Sequence, residues 1–487
     1  MRRIYRITCL VILAILCSIT IAYADSSYSN ENINGIKINY ITINMDNQNI
    51  KPVILNANNQ MNSSESLEVM AKNEGAFAAV NGTYFEAYGG TPVSWGSIIK
   101  DGKILHISNG GSVFGITDDG KFLVDRLSFD FEGYVNGVYR AIPWRINHPS
   151  IEEDAITIFT PEYGVPVGVS MGAKAVVVSN GRVDNISTSD FNVPADGFAI
   201  VYNSSAAYLV DERYKVGDEV YYKVNIRTTF TNPSDWENVV CGLGAGPSLI
   251  INGTVTADGY AEGFTEAKIN TNSAGRSFIG AKEDGSIVFG NLDSATVTDA
   301  AEACKQMGLI NAMCLDGGGS VALYYPSSNI SMCGRKINNG LAFIEEKTIE
   351  KTAKPEILSM LVNGNKIELN AYKIENSNYF NIRDLARVLN NSSKEFDIVW
   401  DNERNAINIV TEREYSSLEE DETLSKGENT KSAYLSKSAI YLDGNKIEIT
   451  AYNIDNNNYF KLRDIAEQMN FNVLLDSTNG SIIIETN

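Results

Sequence analysis

A carboxylate followed by three glycines and a hydroxyl forms the segment of this chain best suited to chemistry. These residues, 316–320, come directly after residues 310–315, an apolar run typical of a buried strand. Successive glycines destabilise helices and strands, but they let a ligand come very close to the backbone. Their amide groups can form a concave nest for an anion such as phosphate. We therefore expect Asp316 to act on an anionic group that the glycine amides hold.

Two further segments are candidates for binding a phosphate or a carboxylate. Arg276 opens a strand pattern, and its guanidinium could hold either anion through two parallel hydrogen bonds. The alternative is an arginine that is simply solvated. Residues 244–247 form a second glycine-rich loop before a strand, although such loops are often only tight turns.

The elements that position these residues follow an order that occurs twice: helix, glycine, buried strand, polar loop. The first copy has a helix pattern through Leu67, Met70 and Ala71, a strand at 76–80 and a loop at 81–85. The second has a helix from Thr296 or Thr298, a strand at 310–315 and the loop of Asp316. If the two strands lie side by side, both loops meet at one sheet edge, where ligands are often bound. Two unrelated surface turns are the alternative.

Hairpin signals dominate residues 36–345. Asp-Gly or Asn-Gly pairs separate apolar or alternating segments at 101–102, 119–120, 180–181, 252–253 and 284–285. We therefore predict an α+β fold: a mixed, largely antiparallel sheet domain with flanking helices, plus two small α+β repeat modules near the C-terminus.

Four segments in this order resemble the phosphodiester glycosidase family. They are residues 81–85, 244–247, 276–280 and 315–320, and the resemblance covers residues 76–345. The chain departs from the family pattern at Thr83, Glu86 and Cys314. The resemblance implies a glycosidase that hydrolyses a sugar joined through its anomeric carbon to a phosphodiester, such as an N-acetylglucosamine-1-phosphodiester.

The resemblance also implies roles for individual residues. Asp316 is expected to be the nucleophile or base, Glu86 the second carboxyl group, and Arg276 a catalytic phosphate ligand. The expected substrate-binding residues are Asn81, Gly82, Gly246, Arg276, Gly317, Gly318, Gly319 and Ser320. No cofactor is expected, although a divalent cation bridging Asp316 and phosphate is an alternative. A further alternative makes Asp316 only a turn residue.

Histidine and cysteine usage limits the other mechanisms. His106 and His148 are the only histidines, and neither lies in a metalloprotease-like or triad-like setting. Four cysteines follow residue 24 and allow one or two disulfides of unreadable connectivity: Cys241, Cys304, Cys314 and Cys333.

Residues 1–24 are typical of a signal peptide, with a basic start, an apolar run and a small-x-small cleavage site. A retained membrane anchor is the alternative. Removal of three arginines with this segment takes the formal charge from −20 to −23. Such an acidic protein is not expected to bind nucleic acid or anionic membranes. We predict a secreted bacterial protein with a carbohydrate or phosphoglycan partner.

The C-terminal part contains an internal repeat. After the domain at 25–345 and a linker at 346–356, one repeat spans 357–411 and the other 438–487, separated by a flexible acidic linker at 412–437. Residues 378–386 and 458–466 resemble the stalk-like domain named after the N-terminal region of copper amine oxidases. Copper itself is not implied, because neither repeat contains histidine or cysteine. The resemblance implies cell-surface or wall attachment.

Two readings other than an enzyme follow from the same residues. The cleft could bind phosphoglycan without cleaving it, or the repeats could carry the function in a structural wall protein.

Overall fold

The computed structural model describes residues 25–107, 111–140, 143–346, 350–401, 404, 406–416, 429–436, 438–476 and 481–486. The predicted signal peptide, and residues 417–428 of the predicted flexible linker, lie outside the described residues. The chain forms two compact units, Met1–Glu346 and Lys347–Asn487. Within the ranges given above, no helix has both the length and the apolar character needed to cross a membrane.

The protein is mostly β, with 50% of its residues in strands and 14% in helices. The predicted α+β class with flanking helices is therefore wrong. The predicted helices do form, but each is short and packs singly against strands instead of building a layer. In region 129–235 the regular structure is also mainly strands.

The first unit contains many short strands and a few short helices. Its strands are β1 (Ser26–Ile33), β2 (Ile36–Ile43), β3 (Ile50–Asn56), β4 (Ala78–Asn81), β5 (Ile98–Lys100), β6 (Lys103–His106), β7 (Gly111–Thr117), β8 (Phe122–Val135), β9 (Val138–Arg140), β10 (Arg145–Ile146), β11 (Ile156–Phe159), β12 (Lys174–Ser179), β13 (Arg182–Ser187), β14 (Gly197–Tyr202), β15 (Val220–Arg227), β16 (Val239–Gly244), β17 (Ser248–Ile251), β18 (Thr254–Val255), β19 (Ala274–Lys282), β20 (Ile287–Ala295), β21 (Leu309–Cys314), β22 (Ala322–Tyr325), β23 (Ile330–Cys333) and β24 (Asn339–Glu345). Its helices are α1 (Leu67–Asn73), α2 (Tyr208–Arg213), α3 (Ala267–Asn270) and α4 (Val297–Gln306).

These strands form four sheets, whose orders are β1-β2-β20-β19-β21-β17-β18, β10-β11-β14-β12-β13, β15-β8-β7-β16-β5-β6 and β23-β22-β4-β24-β3. The sheets that contain β20 and β24 pack against each other through Phe289 and Phe343, whose rings stack with centroids 5.4 Å apart. Both rings are fully buried, so each contributes about 1.5–3 kcal/mol of hydrophobic stabilisation.

The strands before the two polar loops, β4 and β21, belong to different sheets. The predicted side-by-side arrangement of these strands is therefore wrong. Their ends nevertheless meet, because the backbone N–H of Asp316 donates to the carbonyl oxygen of Gly82 over 3.0 Å. The two loops converge at a junction between sheets and not along one sheet edge.

The helices that precede these strands begin with side-chain caps. The Ser66 hydroxyl accepts from the Val69 amide at the start of α1. At the start of α4, Thr296 and Asp299 form a reciprocal capping box. These local signals fix where both helices begin, close to the predicted positions.

The second unit interlocks the two sequence repeats. Its strands are β25 (Glu350–Val362), β26 (Asn365–Ile374), β27 (Ser377–Asn381), β28 (Phe396–Asp401), β29 (Ala406–Thr411), β30 (Lys431–Leu435), β31 (Ala439–Leu442), β32 (Asn445–Ile447), β33 (Ala451–Ile454), β34 (Asn457–Lys461), β35 (Asn472–Leu475) and β36 (Ile482–Glu485), with helices α5 (Ile382–Leu389) and α6 (Leu462–Met469).

Six of these strands, β25-β26-β27-β34-β33-β30, pair in a closed ring. The repeats meet where Phe380 pairs with Phe460, its equivalent in the other copy. Both rings lie in one core together with apolar side chains of α5 and α6. The expectation of two small α+β modules is therefore wrong, since strands of each copy complete the sheets of the other.

Candidate active site

Asp316 lies immediately after β21, and its backbone is held on both sides. In addition to the bond from its amide to Gly82, its carbonyl oxygen accepts from Asn81 Nδ2 over 2.7 Å. Asn81 is 0% exposed, and its Oδ1 accepts from Ser277 Oγ over 2.6 Å and from the Ala322 amide over 3.0 Å. Asn81 was predicted to bind substrate, but this geometry makes it a support for the Asp316 backbone.

The Asp316 carboxyl group is half-buried in a setting that raises its pKa. Burial dominates and raises the pKa of Asp316 to about 6, while hydrogen bonds from Ser320 and the Gly317 amide, and the charges of Arg335 and Lys268, act in the opposite direction. The group is therefore mostly ionised at pH 7 and takes up a proton in mildly acidic solution. That range suits a residue that exchanges protons during a reaction.

Each of the three glycines after Asp316 meets a different constraint. A Cβ atom on Gly317 would lie 2.8 Å from the Gly275 carbonyl oxygen, and Gly318 has φ +59° in the left-handed region. A Cβ on Gly319 would lie 2.3 Å from Nη2 of Arg335. The loop thus needs glycine for close approach at two positions and for its turn at the third. Its exposed part, residues 318–319, lies directly against a guanidinium group.

Two cations accompany Asp316, and the sequence-based site predictions missed both. The Arg335 guanidinium stacks on the Tyr88 ring, 5.0 Å from its centroid, and donates to the Tyr88 hydroxyl over 3.3 Å. Lys268, beside Asp316, pairs with Glu266 over 2.6 Å. Arg335 could have been found as an arginine that follows the fourth motif, whereas Lys268 lies in no motif.

Arg276, predicted as a phosphate ligand, is instead buried and 4% exposed. Its Nε donates to the Ala295 carbonyl over 2.9 Å, and its Nη2 donates to those of Asn272 and Lys268 over 2.8 and 3.2 Å. Those bonds attach α3, which carries Lys268, to β19 and the end of β20. These bonds tie Arg276 to the segment that carries Lys268, and its expected role as a phosphate ligand stays a prediction.

Glu86, predicted as the second carboxyl group, lies in the loop that follows β4. Its Oε1 accepts from the Tyr88 amide over 3.0 Å, and its own amide donates to the Val93 carbonyl over 3.0 Å. Because Tyr88 contacts Arg335, this loop reaches the neighbourhood of Asp316. Glu86 shapes that loop, and its catalytic role stays a prediction.

A cleft of about 510 Å³ borders this site. Tyr84, Trp95 and Phe264 line it together with Lys268. The Tyr84 hydroxyl donates to the Gly246 carbonyl over 2.9 Å, and its pKa is raised first by burial, with the Asp316 charge among the smaller causes. The cleft and Asp316 therefore share Tyr84 and Lys268 as a common border. Another cavity, of about 610 Å³, is lined by Lys103, Thr160, Asp196 and Tyr222 among others and contains none of the predicted site residues.

The remaining predicted substrate-binding residues, Gly82, Gly246 and Ser320, support the backbone of the site. A Cβ on Gly82 would lie 2.1 Å from Asn339 Oδ1, and Gly246 has φ +113°. The Gly246 amide donates to the Cys314 carbonyl over 2.9 Å, which joins the second glycine-rich loop to the end of β21. Ser320 is buried, and its hydroxyl bonds the Asp316 carboxylate.

Neither a disulfide nor a metal cluster occurs in the described part of the chain. Cys241, Cys304 and Cys314 are free and buried, and Cys333 is free and exposed. No group of three or more His, Cys, Asp or Glu residues with metal-binding geometry is found among the described residues. A divalent cation at Asp316 stays an alternative from the sequence.

Comparison with known proteins supports the family resemblance and the fold separately. A search of the curated proteins found no match. A hypothetical protein from Synechocystis aligns with TM-score 0.58 and 22% identity, covering 66% of this chain and 62% of that chain. A putative exported protein from Burkholderia pseudomallei aligns with TM-score 0.53 and 17% identity, covering 63% and 74%. These two similarities show the fold of the first unit.

The zebrafish N-acetylglucosamine-1-phosphodiester alpha-N-acetylglucosaminidase catalytic domain, auto-inhibited by its pro-peptide, aligns with TM-score 0.35 and 14% identity, covering 66% of this chain and 84% of that chain. Residues 173–344 match the family model for phosphodiester glycosidases. That range contains Asp316, Lys268 and Arg335. The family-model match confirms the predicted resemblance to the phosphodiester glycosidase family for residues 173–344.

Proposed function

We propose that the first unit is a glycosidase that hydrolyses a sugar-1-phosphodiester, of the kind exemplified by N-acetylglucosamine-1-phosphodiester. The observation that carries this proposal is the half-buried Asp316 carboxyl group, whose pKa is raised to about 6 and which lies beside Arg335 and beside Lys268, a residue that also lines the cleft. The family match of residues 173–344 supports the same reaction class.

The chemistry requires few groups. A phosphate monoester is a good leaving group, so the bond between the anomeric carbon and the phosphate oxygen breaks without strong acid assistance. Arg335 and Lys268 stabilise the negative charge of the departing phosphate. A protein with a large net negative charge needs such a local cluster of cations to bind an anion. Asp316 either attacks the anomeric carbon, giving a glycosyl ester that water then hydrolyses, or takes a proton from a water that attacks this carbon directly. In both cases the water oxygen becomes the new sugar hydroxyl.

Two departures from the family pattern do not argue against catalysis. Thr83 is buried, and its hydroxyl bonds Ser94 Oγ over 2.7 Å and accepts from Asn339 Nδ2 over 2.8 Å. Cys314 is fully buried in the core behind β21. Both residues therefore belong to the packing beneath the site and not to the groups around the Asp316 carboxylate.

The first test measures release of free N-acetylglucosamine from its 1-phosphate methyl diester. We expect Asp316→Asn to lower kcat by about 10²–10⁴-fold, because the amide can neither attack nor accept a proton. The matched control is Asp293→Asn, an exposed carboxylate on β20. Full activity of the Asp316 variant would overturn the assignment. Binding of the diester without any product from the wild-type protein would select the non-catalytic phosphoglycan-binding alternative.

The pH dependence of kcat/KM tests the role of Asp316 independently. As nucleophile or base it must be ionised, so kcat/KM is expected to fall tenfold per pH unit below about pH 6, the pKa of Asp316. An increase in kcat/KM below pH 6 would instead indicate that the protonated carboxyl group is the active form.

We also propose export through residues 1–24 and attachment to cell-wall glycan through the C-terminal repeats. N-terminal sequencing of the protein recovered from culture medium checks the first point, with Asp25 expected as the first residue. Sedimentation of the full chain with purified cell walls, compared with a chain ending at residue 346, checks the second.

A further inference from the structure

The backbone on both sides of Trp95 is hydrogen-bonded to the side chains of the only two histidines in the sequence. His106 Nδ1 lies 2.7 Å from the Gly96 carbonyl oxygen, and His148 Nδ1 lies 3.1 Å from that of Ser94. These two carbonyls flank Trp95 on either side. The imidazoles also contact each other, with His148 Nδ1 3.3 Å from His106 Nε2. We call residues 94–97 the clamped segment.

Further contacts leave the clamped segment little freedom to move. Ser94 Oγ bonds Thr83 Oγ1 over 2.7 Å, and the Gly244 amide donates to the Ser97 carbonyl over 2.7 Å. A Cβ on Gly96 would lie only 1.7 Å from the Gly244 carbonyl oxygen. The segment is therefore packed directly against the backbone of the second glycine-rich loop, and a side chain that projects from it has a fixed origin.

The side chain presented in this way is large, apolar and accessible. Trp95 is 48% exposed and lines the cleft with Tyr84 and Phe264. Two residues further on, Ser97 also lines the cleft, is 1% exposed, and has a hydroxyl without a hydrogen-bond partner among the described residues. A rigid aromatic surface beside an unused hydroxyl is the arrangement of a preorganised binding site.

The cleft is also larger than the reacting sugar needs. Its volume of about 510 Å³ lies within the roughly 300–1,000 Å³ range of sites that bury drug-sized ligands. A single sugar ring is smaller than such ligands. Glu262 and Glu266 line the cleft, but each is already paired, with Arg126 over 3.1 Å and with Lys268 over 2.6 Å. The described lining residues therefore offer a second phosphate no unpaired cation. A neutral sugar ring is therefore the ligand that fits the additional volume, because its C–H face packs well against an aromatic ring.

Building on the proposed function, we propose that the cleft binds a second, neutral sugar unit attached to the reacting sugar, with Trp95 as its stacking platform. The substrate class is then an oligosaccharide 1-phosphodiester and not a single capping sugar. His106 and His148 are positioning residues that fix the platform through the carbonyls of Gly96 and Ser94.

The test compares two substrates: the 1-phosphate methyl diester of N-acetylglucosamine, and the same diester carrying a second N-acetylglucosamine on the first. For the wild-type protein we expect kcat/KM to be about threefold to tenfold higher for the disaccharide, the range of one aromatic contact. Trp95→Ala should bring this ratio close to one, and Trp95→Phe should keep part of it. Trp400→Ala is the matched control, because Trp400 is 47% exposed and lies in the second unit.

A positioning role of the histidines must be distinguished from a general effect on folding. The measured quantity is KM for the disaccharide compared with KM for the single sugar. His148→Ala should raise KM for the disaccharide more than KM for the single sugar, because the platform loses its fixed position. His148→Asn, whose amide can donate from nearly the same place as Nδ1, should restore the preference. Circular dichroism and thermal unfolding confirm that each variant is folded.

The outcomes separate this inference from the proposed function. If the wild-type protein releases sugar from neither substrate, the proposed function fails. If it hydrolyses both with equal kcat/KM, or if the preference survives Trp95→Ala, the platform is overturned while the proposed function stands.

Discussion

The clamped segment lines the cleft, whereas the Asp316 loop lies beside Lys268, a residue of the cleft wall. Burial shifts the pKa of Asp316 and the pKa values of the two histidines that hold the clamped segment in opposite directions. Burial raises the pKa of Asp316 to about 6, whereas it lowers the pKa of His106 to about 3 and that of His148 to about 4. The same loss of solvent disfavours a negative carboxylate and a positive imidazolium alike. A fall in pH therefore neutralises the buried Asp316 carboxylate, which is favourable. The same fall in pH favours protonation of the buried His106 and His148, which is unfavourable.

The two regions also differ in the atoms that an added Cβ would meet at Gly96 and at Gly319. This difference gives the largest predicted change in the free energy of unfolding. A Cβ on Gly96 would meet a backbone carbonyl, so Gly96→Ala should lower the free energy of unfolding by about 3 kcal/mol or more. A Cβ on Gly319 would meet the end of the Arg335 side chain, which can move. Gly319→Ala should therefore cost less than about 1 kcal/mol of stability while it lowers activity by displacing Arg335.

Urea unfolding and the sugar-release assay check this pair together. Gly89→Ala is the control, because its Cβ would have no atom within 4 Å. Equal losses of stability in Gly96→Ala and Gly319→Ala would contradict the distinction between a backbone contact and a side-chain contact.

The histidines should make the protein less stable in acid. In the unfolded chain both protonate below about pH 6.5, whereas in the folded protein they stay neutral to about pH 4 for His148 and pH 3 for His106. The unfolded state then binds more protons, so the free energy of unfolding falls as the pH decreases from 6.5 to 4. Each histidine contributes up to about 1.4 kcal/mol per pH unit.

The measurement is the free energy of unfolding from pH 7 to pH 4 for the wild-type protein and His148→Asn. The variant should lose less stability over this window, because it lacks one group that protonates on unfolding. Parallel curves would show that His148 is as easily protonated in the folded state as in the unfolded state.

Asp316 should show the opposite and smaller dependence. Its folded pKa of about 6 lies above the ordinary value of 3.8, so its ionisation disfavours the folded state as the pH rises from about 4 to 6. Asp316→Asn should therefore be more stable than the wild-type protein at pH 7, by about 1–2 kcal/mol after allowance for partial exposure. The gain should vanish near pH 4, and a variant less stable than the wild type at pH 7 would contradict the raised pKa.

Features encoded by neighbouring residues were predictable from the sequence. All five Asp-Gly or Asn-Gly pairs join antiparallel strands, and Asp101, Asn180 and Asn252 have the positive φ that such turns require. The bounds of α1 and α4 follow from their caps and closing glycines. The meeting of the loops at Asn81 and Asp316 was predicted as well, although through the wrong arrangement of strands.

Features that depend on distant contacts were not predictable. The burial of Arg276 was not predictable, because its partners, three backbone carbonyls, carry no sequence signal. Lys268 and Trp95 lie outside every sequence motif. Contacts between distant segments bring Lys268 close to Asp316 and place Trp95 in the wall of the cleft. His106 and His148 were discounted as catalytic residues, and no pattern indicated that they would meet behind Trp95. The fold class failed because the predicted helices are short and pack singly against strands, which depends on tertiary contacts.

The ring of six strands in the second unit limits how repeats can be lost from this part of the chain. Three of its strands come from before residue 417 in the chain and three from after residue 428. A protein truncated between the repeats would expose the unpaired edges of β25 and β27, which invite aggregation. Loss of a single repeat is therefore expected to destabilise the second unit. We therefore expect the two copies to be kept or lost together.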